Sequence, residues 1–356
     1  MTTASEKMIQ AIQYVVKQMG IGTNLNLFNL LWAMVSGQFL LSRGTVHLAL
    51  KLSGCTDAET KRASNALRTG QWQIGELIGK WRNYIKQEAK WERKEYEGWY
   101  AVVADVVVFP RLKLKRWIGK LYRGTFGRAV KAVGLGVIVE IGHYNGYRVP
   151  LIRQLVRSRN CADSEKRLKQ DMLKAVAKNL KANELFVHDA GVKVGDLRET
   201  GIKNYVIRLA KNCVARRNVL AENAHGNRKY GVAIRPLART RKGVIVEATN
   251  DPDIKCSFNW QGRKIEAHAW YDVVGQEDKV SDKVDPYDIW VFLTPALSNH
   301  WFWQRRLDAQ PRRSLNFTLT DGLWSRFPWL PNSASACVVS MFSIQDAVGD
   351  CLNLPS

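Results

Sequence analysis

The run Tyr100-Ala101-Val102-Val103-Ala104-Asp105-Val106-Val107-Val108-Phe109 constrains this chain more than any other segment. Its length and its valines predict a strand buried in a sheet. One ionised carboxylate stands in the middle of it. Burying that group costs several kcal/mol unless a partner or a metal ion offsets the loss of water. The chain must therefore build a sheet around this run and give Asp105 something to face.

The segments that follow supply such a sheet. Residues 132–141 and 147–151 are apolar and flank Asn145-Gly146, which is a hairpin signal. Residues 163–180 read as a helix with Leu168, Met172, Val176 and Leu180 on one side. Leu185-Phe186-Val187-His188-Asp189 is a short strand ending on a carboxylate, and a short helix to Glu199 and a strand over 205–209 come next. The order strand, hairpin, helix, strand, helix, strand predicts an α/β core over residues 96–216.

Before this core, residues 1–95 read as several short helices with small turns, one of them ended by Gly54. They fit a helix-turn-helix DNA-binding domain and a plain helical bundle equally well. Residues 25–41 read as one longer apolar-periodic segment. After the core, residues 217–294 are mostly β. Ile265, Ala267, Ala269, Tyr271 and Val273 alternate with Lys264, Glu266, His268, Trp270 and Asp272, predicting a half-exposed strand. Residues 244–247 and 287–293 predict two more strands.

The segment 295–356 differs in kind. It holds no Lys and no Glu, although the 294 residues before it hold 26 and 15. Four Trp, Arg pairs, Pro and Ser dominate instead. It reads as a disordered or aberrant tail of the sort another reading frame would produce. The plainer alternative is a Trp- and Arg-rich binding segment.

Charge narrows the partner. Lys and Arg total 54 against 32 Asp and Glu, a net charge of +22. Such a chain is expected to meet a polyanion, with nucleic acid ahead of a membrane surface or an acidic protein. Arg111, Lys113, Lys115, Arg116, Lys120, Arg123, Arg128 and Lys131 run without an intervening acid directly after the Asp105 strand. They are candidates to hold phosphates, with Trp117 and Tyr122 placed to stack on bases. Arg216, Arg217, Arg228, Lys229, Arg235, Arg239, Arg241 and Lys242 form a second cluster with the same reading. No apolar run reaches the ~18 residues a membrane helix needs, and no secretory signal is expected. Six scattered cysteines without a C-x-x-C spacing argue against a zinc ribbon or a redox dithiol. A cytoplasmic, nucleoid-associated location follows as the expectation.

Asp105 and Asp189 carry the candidate chemistry. Carboxylates on two strands of one α/β sheet, one at a strand end where such sheets place their sites, would make half of a divalent-metal site. Mg2+ (or Mn2+) takes hard oxygen ligands and shares them with substrate phosphate. Two such ions about 4 Å apart activate a nucleophile and stabilise the leaving oxygen of a phosphodiester. The plainer alternative pairs Asp105 with a core Lys or Arg and uses Asp189 to cap the next helix. His188 reads more simply as a packed side chain than as a catalyst. Gly134 and Gly136 lack the third glycine and helix of a dinucleotide fingerprint.

The stretch 102–109, the turn-Val149-Pro150-Leu151 hairpin and Val187-His188-Asp189-Ala190-Gly191-Val192 together resemble the ribonuclease H-like core of bacterial insertion-sequence DDE transposases, the group with a β-rich insertion before the third acid. The resemblance covers roughly residues 20–294. It implies a ribonuclease H-like mixed sheet with helices, preceded by a helical N-terminal domain and interrupted by a β-rich insertion. It implies Asp105 and Asp189 as the first two metal ligands, double-stranded DNA (element terminal repeats and target) as partner, and a homodimer assembled on that DNA. In such enzymes metal-dependent hydrolysis nicks the element end and the freed 3′ hydroxyl attacks another phosphodiester. The family's third acid, a Glu in a Tyr-x2-Arg-x3-Glu-x6-Lys pattern, is nowhere in this chain. The expectation is a coding frame lost near Thr294 and a transposase left with two of three ligands. A DNA-binding remnant that does not cut, or a ribonuclease H-like nuclease of other purpose, are the alternatives.

Overall fold

A computed structural model describes residues 4–19, 26–42, 44–96, 98–110, 112, 120–123, 126–157, 165–188, 191–209, 212–220, 222, 229–248, 251–260, 263–276, 278, 286–292 and 301–306. The protein is a mixed α/β chain: N-terminal helices, then a mixed sheet with helices, then further β-rich structure. It divides into two compact units. The described residues of Met1–Arg93 and Val139–Leu155 form the first, and those of Lys94–Ile138 and Val156–Val338 the second.

The first unit opens with α1 (Ala4–Lys17), α2 (Leu27–Val35), α3 (Gln38–Leu41), α4 (Val46–Leu52), α5 (Asp57–Thr69) and α6 (Ile74–Glu88). The single segment expected over 25–41 is two helices. Gly37 takes a φ of 78° between them and turns the chain where a side chain would resist it. Thr56 starts α5 with a capping box: its hydroxyl accepts from Glu59 N–H while the Glu59 carboxylate accepts from Thr56 N–H. Ile12, Val16, Leu27, Leu30 and Ala66 make one apolar cluster, and Ala33, Ala49, Leu50 and Ala63 a second. Tyr14 on α1 donates to Gln87 of α6 at 2.8 Å. After α6 come β1 (Glu92–Arg93) and, in the second unit, β2 (Glu95–Tyr96) and β3 (Trp99–Pro110).

The run around Asp105 is β3, as its composition requires. Next are β4 (Lys120–Arg123), β5 (Arg128–Tyr144) and β6 (Tyr147–Arg157). Asn145 and Gly146, with φ of 49° and 80°, close the β5–β6 hairpin in the mirror-image turn that matches strand twist. Then follow α7 (Glu165–Asn179), β7 (Glu184–His188), α8 (Val194–Thr200) and β8 (Tyr205–Leu209). β3 lies beside β7 in parallel, and β7 beside β8 in parallel. The core of this region gathers Val102, Ile138, Met172, Leu173, Val176, Phe186, Leu197 and Ile207. Gly134 lets α7 come close to β5, since a Cβ there would stand 2.7 Å from Leu168 Cδ2.

The β-rich part consists of β9 (Ala215–Arg217), β10 (Ala233–Ile234), β11 (Arg239–Arg241), β12 (Val244–Val246), β13 (Ile254–Trp260), β14 (Arg263–Gly275), β15 (Tyr287–Phe292) and β16 (Trp301–Arg306). In the second unit β3, β7, β8, β16, β15, β14, β9 and β10 follow one another side by side, with β13 on β14. Strand β16, from the compositionally distinct segment, pairs antiparallel with β8 and β15. The rest of 295–356 lies outside the described residues.

The simple alternation expected along 264–273 fails at one place. The register of β14 on β15 shifts between Trp270 and Val273, and Asp272 has a φ of 53°. This bulge brings Val273 to the same side as Trp270. Trp270, expected outward, is buried, and Val273 and Val274 are buried in succession. They join Ala215, Ile234, Tyr287, Ile289 and Val291 in a second core.

Candidate functional site

Asp105 is half-buried on β3, and its Oδ1 accepts the N–H of the next residue, Val106, at 2.7 Å. The neighbouring strand is β7, in the parallel register Tyr100↔Glu184, Ala101↔Leu185, Val102↔Phe186 and Val103↔Val187. Asp189, the other candidate ligand, lies outside the described residues. His188 is 1% exposed and its ring stands 5.9 Å from that of Phe186, so it is a packed side chain of the core. Among the described residues no three His, Cys, Asp or Glu side chains gather as a metal site would require.

Of the eight basic candidates, Arg111, Lys113, Lys115 and Arg116 lie outside the described residues, as does Trp117. The other four come together on one hairpin. β4 pairs antiparallel with the start of β5, and the partners are Lys120↔Lys131, Leu121↔Val130, Tyr122↔Ala129 and Arg123↔Arg128. Two cross-strand pairs are thus like-charged, an arrangement that destabilises a sheet by itself. Alternation places the Lys120–Lys131 pair, with Tyr122, on the face opposite Leu121 and Val130. Leu121 and Val130 are buried, whereas Lys120 and Tyr122 face solvent, Tyr122 at 60% exposure. An exposed aromatic ring set among cations is suited to a nucleic-acid strand, whose phosphates relieve the repulsion and whose bases can stack.

The second basic cluster is largely structural. Arg217 forks onto Asp253 with two 2.7 Å contacts. Burial pushes the Asp253 carboxyl up, but the Arg217 fork and the Tyr271 N–H outweigh this and hold it below the usual range. Arg216 donates to the carbonyls of Gln276 and Gly231 and lies over the Tyr230 ring. Arg239 donates to Asn212 O. Arg241 and Lys242 are exposed at the β11–β12 turn, and Arg228 lies outside the described residues.

Glu140 carries the same sequence signal as Asp105, a carboxylate inside an apolar run, and is 3% exposed on β5. Four basic side chains of its own unit converge on it. Two of them, Arg82 and Lys86, are 58 and 54 residues away in sequence, so no local pattern announces the cluster.

Among the described residues no helix is long and apolar enough to cross a membrane. Comparison of the chain with protein-family models, with curated proteins and with solved structures gives no match.

Proposed function

We propose that this chain is a DDE-type DNA transposase with a ribonuclease H-like core, left with two of its three acids and therefore able to bind DNA without cutting it. The observation that carries the reading is the parallel pairing of β3 with β7. Parallel neighbours in register hold equivalent positions at one height. Val103 and Val187 are partners, and Asp105 and Asp189 each follow two residues later in sequence. Asp105 offers a hard oxygen donor of the kind Mg2+ takes. The Tyr-x2-Arg-x3-Glu-x6-Lys pattern that would supply the third acid is missing from the chain. The like-charged β4–β5 hairpin and the net charge of +22 support duplex DNA as the partner.

The test joins the reading frame to the chemistry. The DNA beyond codon 294 is translated in the other two frames and searched for Tyr-x2-Arg-x3-Glu-x6-Lys. That continuation then replaces residues 295–356. The expected result is Mg2+-dependent cleavage of DNA carrying the element ends by the spliced chain, lost again in Asp105→Asn, while the present chain only binds. Asp105-dependent cutting by the present chain would overturn the loss of competence. Binding without cutting by a spliced chain that carries the motif would overturn the transposase assignment.

A further inference from the structure

Strands β11 and β12 form a two-stranded sheet of their own, which no other strand joins among the described residues. Their register is Arg239↔Val246, Thr240↔Ile245 and Arg241↔Val244. Lys242 and Gly243 make the turn, with φ of 50° and 80°, the left-handed pair that a tight two-residue hairpin requires. The root is fixed to the body of the second unit. Arg239 donates to Asn212 O at 2.9 Å, and Leu237 packs against the core around Trp270 and Tyr287. Beyond the root, every residue from Thr240 to Ile245 is exposed.

Consecutive side chains of a strand point to opposite faces. Val244 and Ile245 are neighbours, and each is 65% exposed. Neither face of the ribbon therefore rests on the protein. Two β-branched apolar side chains held in water, on a hairpin of a size that is marginal by itself, call for a partner that covers both faces at once. A groove does this, whereas a flat surface covers only one face. Charge selects the groove. Arg239, Arg241 and Lys242 stand within four residues, and no acid lies between Glu222 and Glu247 in the sequence. The side chains of Arg241 and Lys242 make no hydrogen bond or ion pair among the described residues. An identical ribbon from a second copy would bring the same cations against these, so repulsion opposes self-pairing. The size also fits. The ribbon reaches about 10 Å from Arg239 to its turn, and the major groove of DNA, about 12 Å wide and about 8.5 Å deep, admits a two-stranded ribbon.

We infer that the β11–β12 ribbon is an arm that seats in the major groove of duplex DNA. Arg241 and Lys242 meet the phosphates that wall the groove, and Val244 and Ile245 lie against the base edges, thymine methyl groups above all. The inference rests on the DNA-binding part of the function proposed above. It adds the groove that is entered, and a contact on residues separate from the β4–β5 hairpin.

The test is fluorescence anisotropy of the full chain on a generic 20-base-pair duplex across a salt series, with thermal melts as a fold control. The variant combines Arg241→Gln with Lys242→Asn. Asparagine accepts the left-handed backbone of that turn position, so the melting temperature should hold. Loss of two phosphate contacts is expected to weaken binding about tenfold at low salt and to lower the slope of log K against log salt by about 1.8. Should the double variant melt early, Lys242→Asn alone carries the test, with a slope change of about 0.9. A second duplex of the same sequence carries glucosylated hydroxymethylcytosine, whose sugars fill the major groove. Wild type should bind it more weakly than the plain duplex, and the double variant should lose most of that discrimination. A smaller slope without discrimination by the wild type would place the ribbon on phosphates outside the groove and overturn the seating. Affinity and slope equal to wild type would remove the ribbon from the DNA interface. Sedimentation without DNA reads the competing occupant: a wild-type dimer that dissociates in Ile245→Ser would assign the ribbon to a second copy and overturn the inference. No wild-type binding at any salt would instead sink the DNA-binding function itself.

Discussion

The indole of Trp91 occupies the space that a side chain on Gly142 would need. A Cβ at Gly142 would lie 2.2 Å from Trp91 Cζ2 and 2.4 Å from Glu92 O. The pair joins the end of α6 and strand β1 to the β5–β6 hairpin, and it sits beside the Glu140 cluster through Lys86. Gly142→Ala must therefore move either a buried indole or backbone. The expected loss is about 1–3 kcal/mol, read as a lower urea midpoint with an unchanged slope. Trp91→Phe should cost less room but lose the hydrogen bond to Val149 O, and a midpoint equal to wild type in both variants would show that this contact is not part of the fold's stability.

Relief of the cross-strand repulsion should separate stability from binding. Lys120 is the register partner of Lys131, and Arg123 that of Arg128, on β4 and β5. Lys120→Gln removes one like-charge pair, so stability is expected to rise by about 0.2–1 kcal/mol while duplex affinity falls. Thermal melts and anisotropy on the same preparation measure the two signs. A variant that loses both stability and affinity would show that Lys120 is a packing residue.

Asp278 links the acid limb of stability to one ion pair. Arg198 on α8 forks onto its carboxylate at 3.0 and 3.1 Å. This fork, reinforced by the Gly275 N–H, outweighs burial and holds the Asp278 carboxyl below the usual range. A carboxyl with a depressed folded pKa contributes stability above its unfolded value of about 3.9 and loses it as pH falls through the folded one. Arg198 is 36% exposed, so solvent limits the gain to about 1 kcal/mol. Asp278→Asn should be less stable than wild type at pH 7 and converge with it below about pH 4. Urea titrations at pH 7, 5, 4 and 3 give the comparison, and a constant gap at every pH would remove Asp278 from the acid limb.

Cys213 should be chemically silent in the folded chain. Burial beside the second core pushes its thiol up to about 11, and the thiol, unlike the thiolate, is a poor nucleophile. With an alkylating reagent at pH 8, followed by peptide mass spectrometry, the Cys213 peptide should stay unmodified in buffer and become fully modified in denaturant. Rapid native labelling would place Cys213 in a part of the fold that opens readily.

Local rules were enough for the elements nearest the site. Valine content made 99–110 a strand, Asn145-Gly146 made a two-residue turn, and the spacing of Leu168, Met172 and Val176 put one face of α7 into the core. Each depends on residues within a few positions of one another. The bulge at Asp272 escaped the period-two pattern because an extra residue in one strand is registered only against its partner, β15. Most of the basic hairpin was legible as a run of charge, but not its like-charged pairing, which needs the register of β4 on β5.

The sequence by itself determined that a carboxylate would lie in an apolar strand, that this strand would belong to an α/β sheet, and that the surface would be strongly basic. Hydrophobic period and net charge are properties of the chain whatever its fold. Tertiary structure alone decided that β7 would lie beside β3 in register, that β16 would pair with β8 and β15, and that Glu140 would collect cations from α6, β1 and β6. Those outcomes depend on contacts between residues far apart in sequence, which form only where packing brings the strands and helices that carry them together.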